Sequence, residues 1–492
     1  MADPPPDPHD RRRDAHVRPS AWVTTVRPAY DVAVIGGGTA GLVCAAAAAA
    51  LGARVLLVER ARLGGDCLNA GCVPSKALLR AARAVHEART AARFGVRADV
   101  RVEFGEVMAS VRARRADIAP HDAAARLAGL GVDVVFGHAA FDGPRALVVD
   151  GRRTVFRRAV IATGAAPRVP DLPGLREVPF LTSEGVFDLP RLPEALVVLG
   201  GGPAGCELAQ AFAWLGSRVT LVEAGPRLLP RDDADASAVL AARLARDGVE
   251  VCVGAPASSV MGISGGIRVA AGERRIEGTH LLVAAGRAPA LDGLGLDAAG
   301  VARAAGGVVV DDRLRTTNPR IFAAGDVCGS WQFTHAADAM ARIAVQNALF
   351  FGRRRASALA VPWCTLTTPE VAHVGAGAAG GAMAGAVSVT VPLDEVDRAI
   401  VDGDVDGFVR VWHRGGRLVG ATVVAPRAGE MIGLLALAMA RGVRLADLAA
   451  TVFPYPTVAM ALRQAGDRYR RTRLTPGVSA ALRRYFELWR RL

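Results

Sequence analysis

The stretch from Gly64 to Lys76, GGDCLNAGCVPSK, places Cys67 and Cys72 five positions apart and ends on Lys76. Two cysteines at that spacing can cycle between dithiol and disulfide if the chain brings their sulfurs together. An ideal α-helix would not, because it sets residues i and i+5 roughly 8–9 Å apart at Cα. A disulfide tolerates roughly 7 Å. Gly71 and Pro74 are expected to supply the distortion that closes the gap. A cysteine at a helix start would also have its thiolate favoured by the helix dipole, as redox cysteines need. Lys76 is the single lysine of the chain; every other member of the Lys+Arg total of 60 is arginine.

The elements that must hold such a pair are written twice. Residues 32–59 read VAVIGGGTAGLVCAAAAAALGARVLLVE, and residues 196–223 read LVVLGGGPAGCELAQAFAWLGSRVTLVE, aligned without a gap. Each is an apolar strand, a G-x-G-x-x-G turn, an apolar helix, a second strand and a terminal acid, the full βαβ unit that binds a dinucleotide. Gly36 and Gly200 are expected to make the tight turn, Gly38 and Gly202 to let the backbone approach a pyrophosphate, and Gly41 and Gly205 to let the helix pack close. The pyrophosphate would sit on the helix N-terminus. Glu59 and Glu223 end the second strands, placed to accept hydrogen bonds from an adenosine ribose. Glu223 favours NADH over NADPH, and Arg227 four residues on could soften that preference. Two complete copies predict two bound dinucleotides, the first staying near the thiols. IATGAAP (161–167), LLVAAGRAP (281–289, with Gly286) and IFAAGD (321–326) read as short buried strands ending in glycine turns where a sheet edge meets a cofactor.

At 492 residues, with 51% apolar residues and 55 glycines, the chain predicts about three globular α/β domains. The expected order is a disordered leader (1–28), a first nucleotide domain (29–185), an inserted second one (186–308), a return to the first (309–360), an α+β dimerisation domain (361–465) and a basic C-terminal helix (466–492). The proline- and charge-rich leader has no apolar segment of signal-peptide type. Seven scattered cysteines describe neither a disulfide framework nor a metal cluster. With no run fit to span a bilayer, a cytoplasmic, reducing setting is expected, where a cysteine pair is catalytic rather than structural.

The net charge of +13 is uneven: nine arginines against Asp467 and Glu487 lie beyond residue 462. No basic stripe with interleaved aromatics suggests nucleic acid. Leu482, Tyr485, Phe486, Trp489 and Leu492 recur at helical spacing. The expectation is a terminal helix packing this stripe on its own domain; the alternative is a peripheral membrane or partner contact.

GGDCLNAGCVPSK resembles the redox signature of the class I pyridine nucleotide–disulfide oxidoreductases, the family of dihydrolipoamide dehydrogenase, glutathione reductase and mercuric reductase. The resemblance runs from about residue 30 to 465, with IATG, the second G-x-G-x-x-G and IFAAGDV in family order. It implies FAD in the first site, NADH or NADPH in the second, a homodimer, and electrons passing from nicotinamide through flavin and disulfide to an acceptor. It implies a Cys67–Cys72 disulfide, with Cys72 as the flavin-facing sulfur and Cys67 as the one that attacks the acceptor. Asp326 would bind the ribityl chain, and Gly65, Ala139, Thr163 and Gly164 would line the FAD path. Lys76 would pair with Glu207, which stands where the first repeat has Val43. A compact ammonium beneath the flavin stabilises developing negative charge, a role that a planar guanidinium does not fill.

The acceptor end departs from the family. Disulfide reductases carry a His-Pro-Thr segment with a glutamate five residues after the histidine, an acid–base pair for thiol exchange. Here the segment is FPYPTVAM, with Tyr455 at the histidine position and Met460 at the glutamate position. A tyrosine there is similar to mercuric reductase, although that enzyme also uses a C-terminal cysteine pair and the last cysteine here is Cys364. Tyr455 is either a contact to the acceptor or a packing residue at the dimer interface. The expected activity is mercuric-reductase-like reduction of a metal ion or small electrophile. The alternatives are a dihydrolipoamide-dehydrogenase-type disulfide reductase, and a diaphorase or transhydrogenase using flavin alone.

Overall fold

The computed structural model describes residues 7–377 and 385–491. The chain runs through α1 (Pro8–Val17), β1 (Ala29–Ile35), α2 (Thr39–Ala50), β2 (Val55–Glu59), α3 (Gly65–Asn69), α4 (Cys72–Thr90), α5 (Phe104–Ile118), α6 (Ala124–Gly129) and β3 (Val132–Phe136). β4 (Ala139–Phe141), β5 (Ala146–Val149), β6 (Arg152–Ile161) and β7 (Ala165–Pro167) lead to the second repeat, formed by β8 (Ala195–Leu199), α7 (Pro203–Leu215) and β9 (Arg218–Val222). Next come α8 (Ala234–Arg246), β10 (Val249–Cys252), β11 (Ala257–Ile263), β12 (Gly266–Ala271), β13 (Arg274–Gly278), β14 (His280–Val283) and β15 (Arg287–Pro289). β16 (Arg303–Ala304), β17 (Gly307–Val308), β18 (Ile321–Ala323) and α9 (Thr334–Leu349) complete the part before residue 360.

One compact unit holds residues up to Gly200, Leu208–Val222 and Ala255–Leu359. Its main sheet runs β3-β2-β1-β6-β5-β4, with β18 also on β6. β2, β3, β6 and β18 join in parallel, through β1–β2, β2–β3, β1–β6 and β6–β18. Such strands are buried on both faces, which is why β2 runs apolar from Val55 to Val58 and has no exposed residue. β18 brings the chain back to this sheet some 160 residues after β6, so the ends of β1, β6 and β18 share one edge. The second repeat forms its own parallel neighbours β9-β8-β14, and β7 pairs with β15 in a short antiparallel ribbon. At its far end α4 stacks His86 on Trp214 of α7, ring centroids 4.3 Å apart.

The leader is not disordered where it is described. Asp7 caps α1 by accepting from the His9 N–H at 2.8 Å, Val17 is wholly buried, and the Val17 carbonyl accepts from the Leu63 N–H at 3.0 Å. The charges that suggested disorder have partners: Asp7 with Arg112, Asp10 with Arg115, Arg12 with Asp117, Asp14 with Arg62. Residues 1–6 lie outside the described residues.

The second unit holds Gly201–Glu207, Glu223–Gly254 and the chain from Ala360 on. Its antiparallel sheet has the order β19-β20-β23-β22-β21, made of β19 (Pro362–Thr365), β20 (Glu370–Gly375), β21 (Val387–Pro392), β22 (Phe408–Arg414) and β23 (Arg417–Ala425). After α10 (Asp397–Asp402), the helices α11 (Ala428–Ala440), α12 (Leu445–Ala450) and α13 (Met460–Thr472) share one apolar core with it, through Val423, Leu435, Leu448 and Leu462 among others. The expected single helix over 466–492 is instead the end of α13 and a separate α14 (Pro476–Trp489). Thr475 caps α14 and Pro476 opens it, a stop and restart that proline permits only at a first turn. No residue of α14 is buried, so its apolar stripe does not pack on its own domain.

Candidate active site

Cys67 lies in α3 and Cys72 is the first residue of α4; between them the helix breaks at Ala70–Gly71. The break is at Gly71, whose φ of −118° and ψ of −108° leave helical geometry. A β-carbon there would lie 2.6 Å from Asp66 Oδ2. Pro74 contributes no distortion. It sits in the first turn of α4, where its missing N–H costs no helical bond. Ser75 Oγ donates to the Gly71 carbonyl at 2.7 Å and holds that turn.

Cys67 and Cys72 face each other with no covalent bond between their sulfurs, and their environments separate them. Cys72 is drawn down to about 6, first by the hydrogen bond from Cys67, then by Thr334 and the Lys76 charge, all against burial. Cys67, donating that bond and half-buried, is pushed up. One thiolate at Cys72 beside one thiol at Cys67 is therefore the state the site favours near neutral pH. The first N–H groups of α4 carry no side-chain cap, which adds the helix-terminus field to the same effect.

Two residues not anticipated from the sequence complete the surroundings. Thr334, first residue of α9, brings its Oγ1 to 3.3 Å from Cys72 Sγ. Arg287, next to Gly286, reaches Asp66 at 3.3 Å and Asp326 at 3.8 Å, and donates to the Ala165 carbonyl at 2.5 Å. Arg287 was legible in LLVAAGRAP as a cation beside a glycine turn; nothing local marked Thr334. Asp326 is raised by burial, against the Arg287 charge.

The two glycine turns are built alike. Gly36 and Gly200 have φ of +103° and +114°, and a β-carbon at each would lie 2.4 Å from a carbonyl oxygen, of Ala162 and Ala284 respectively. At Gly41 a β-carbon would come within 1.7 Å of the Gly36 carbonyl. Gly205 is buried in α7, in the equivalent place. Each terminal acid closes its own turn. Glu59 accepts from Gly37 and Ala61 N–H groups at 2.6 Å each, and Glu223 from Gly201 and Gly225 at 2.6 and 2.7 Å. Both carboxylates so fixed retain lone pairs for a ribose.

The residues fit the two expected cofactors. α2 begins at Gly38 with no side-chain cap, leaving its first N–H groups for a pyrophosphate. Opposite lies Gly65, whose β-carbon would touch Gly38 Cα at 2.7 Å, so two bare backbones face each other. The space at Gly202 is open. The Thr163 hydroxyl donates to the Ala290 carbonyl at 2.7 Å, and the Gly164 carbonyl accepts from the Ala290 N–H. Both therefore brace the β6–β7 turn. Gly286, at φ +99°, turns β14 into β15, and its carbonyl accepts from the Arg168 N–H. Ala139 is buried in β4 opposite Val149, in the antiparallel hairpin beyond β6.

Lys76 is half-buried on α4 and acts on Cys72. Glu207, almost wholly buried on α7, accepts from the Leu366 N–H at 2.8 Å. Tyr455 is 70% exposed, and its hydroxyl donates to Asp397 Oδ2 at 3.0 Å. That bond and charge raise its phenol.

Comparison with known proteins adds to this geometry. The profile of the pyridine nucleotide-disulphide oxidoreductases matches residues 30–341, and that of their dimerisation domain matches residues 361–465. Mercuric reductase of Acidithiobacillus ferrooxidans is 38% identical over 456 residues, 89% of this chain and 82% of that protein. Dihydrolipoyl dehydrogenase of Thermus scotoductus is 35% identical over 89% of this chain and 97% of that protein. Among solved structures, the Cu(II) complex of the HOCl-induced flavoprotein disulfide reductase RclA from Escherichia coli superposes with a TM-score of 0.79 at 30% identity, over 88% of this chain and 98% of that one.

Proposed function

The chain belongs to the pyridine nucleotide-disulphide oxidoreductase family, as an FAD-dependent enzyme acting on NAD(P)H, and from that premise we propose that its terminal acceptor is a metal ion or small electrophile rather than a disulfide substrate. The fold is two Rossmann-like dinucleotide-binding domains and an α+β dimerisation domain, which supports a homodimer.

The observation that carries the reading is the contrast between the two ends of the path. A thiolate at Cys72 and a thiol at Cys67 are poised in one place. Tyr455 and Met460 occupy the positions where disulfide reductases keep an acid–base histidine and its glutamate. Bound FAD supplies the means of passing two electrons from NAD(P)H to the cysteine pair. Those electrons break the Sγ–Sγ bond and, with one proton, leave Cys72 as thiolate and Cys67 as thiol. Lys76, one helical turn after Cys72 on α4, would hold positive charge at the bound cofactor. Cys67 then loses its proton and meets the acceptor; two electrons leave as the Sγ–Sγ bond re-forms. A metal ion needs no proton delivered to a leaving thiol, so the chemistry tolerates a tyrosine at 455. The mercuric reductase relative and the Cu(II) complex support this class of acceptor. The setting proposed is a reducing cytoplasm.

Anaerobic titration of the purified yellow protein with NADH tests the pair. A long-wavelength thiolate-to-flavin band at two-electron reduction is expected, whereas flavin bleaching without it would remove the cysteines from the path. Turnover with Hg(II), Cu(II), lipoamide, glutathione disulfide and quinones then ranks the acceptors. Faster turnover with lipoamide or glutathione disulfide than with either metal ion would overturn the reading. Quinone turnover that survives Cys67→Ala would point to flavin alone.

A further inference from the structure

α14 is a helix that stays outside the core. Thr475 caps it, Pro476 starts it, and Leu482, Tyr485 and Trp489 are 43%, 58% and 61% exposed. At 100° per residue, Val478, Leu482, Tyr485 and Trp489 fall within about 60° of one another, with Phe486 and Leu488 at the two margins. The rings form a continuous patch: Tyr485 lies 5.3 Å from Phe486, and Phe486 6.3 Å from Trp489. The opposite side carries Glu487 at its centre, with Arg483 and Arg490 on one flank and Arg484 and Arg491 on the other.

We propose that α14 docks this enzyme on the surface of an anionic phospholipid bilayer, lying in the interface plane with Leu482, Tyr485 and Trp489 at the headgroup–acyl boundary and Arg483, Arg484, Arg490 and Arg491 at the headgroups. Aromatic rings on the apolar side and arginines on both flanks match the two layers of such an interface. The rings take the headgroup–acyl boundary, and the guanidinium groups reach out along their stems to phosphate. A helix of 14 residues is too short to cross a bilayer, and among the described residues no helix is long and apolar enough to do so. A second copy of the chain is the poorer occupant. Four arginines against one glutamate repel their own image, and the match to the dimerisation domain ends at residue 465, before α14 begins. The nearby arginines Arg470, Arg471 and Arg473 add charge of the same sign.

The test uses the FAD-loaded full chain, co-sedimented with vesicles of phosphatidylcholine alone or of phosphatidylcholine with phosphatidylglycerol. Binding is expected to the phosphatidylglycerol vesicles about tenfold or more above phosphatidylcholine, and to weaken at high salt. The double variant Leu482→Glu/Trp489→Glu and the charge reversal Arg483→Glu/Arg484→Glu should each lose about tenfold in that binding. Dye reduction by NADH should stay unchanged in both, which shows that they fold. Equal binding to both vesicles, or no loss in either variant, overturns the proposal. So does failure to bind lipid while Leu482→Glu/Trp489→Glu lowers the sedimenting mass, which would assign the face to a second copy.

Discussion

The Thr334 hydroxyl lies 3.3 Å from Cys72 Sγ, joining the first residue of α9 to the first residue of α4 across 262 positions of sequence. Two helix starts thus meet at one sulfur. The contact tunes the sulfur that the Cys67 hydrogen bond already favours as thiolate.

Thr334→Val should raise the Cys72 value from about 6 by about one pH unit, since a hydrogen bond to a charged group contributes about 1.5 kcal/mol. The readout is the pH midpoint of thiolate-to-flavin absorbance in the two-electron-reduced enzyme. The sign follows from a folded value below that of a free thiol: the thiolate signal is full well above pH 6 and fades as pH falls through about 6. Thr334→Ser should keep the midpoint near that of the parent. A Val variant with an unmoved midpoint would show that Thr334 only packs.

Lys76→Met should move the same midpoint upward by less than Thr334→Val does, because the Lys76 charge acts on Cys72 more weakly than the hydrogen bonds do. Lys76→Arg should restore the midpoint but not the rate of flavin reduction by NADH, if the compact ammonium matters beneath the flavin. Full rate recovery with arginine would remove that role.

Gly36→Ala and Gly200→Ala introduce the same clash, 2.4 Å from a carbonyl oxygen at positive φ, yet should fail differently. Gly36→Ala is expected to yield protein largely without FAD. Gly200→Ala should remain yellow while its KM for NADH rises about tenfold or more. Absorbance of the purified proteins and steady-state kinetics decide between them, and loss of FAD from Gly200→Ala would contradict the assignment of the two turns.

Val17→Asp should destabilise the protein by about 3 kcal/mol, because an unpaired carboxylate would enter a wholly buried position. Val17→Ala should cost about 1–2 kcal/mol. Since the Val17 carbonyl holds the Leu63 N–H just before Gly64, the loss should also loosen FAD, seen as a higher dissociation constant. Unchanged thermal unfolding in Val17→Asp would return α1 to the status of a dispensable leader.

Much of this protein is legible in its residue order because the information is local. A glycine turn, an apolar strand and a terminal acid are contiguous, so the two βαβ units, Glu59, Glu223 and the cysteine pair can be read along the chain. The repeat even marks Glu207 by contrast with Val43. What composition predicts poorly is the fate of a charged segment. Residues 7–17 look disordered until Arg62, Arg112, Arg115 and Asp117, 45 or more positions away, supply their partners. Nothing local marked Thr334, and Arg287 showed only as a cation beside a glycine turn, since the return of β18 to β6 and the pairing of β15 with β7 are what bring them toward the cysteines. The amphipathic period of α14 is likewise written in sequence, but periodicity states only that one face is apolar. Whether that face meets a core depends on packing, and here no core reaches it.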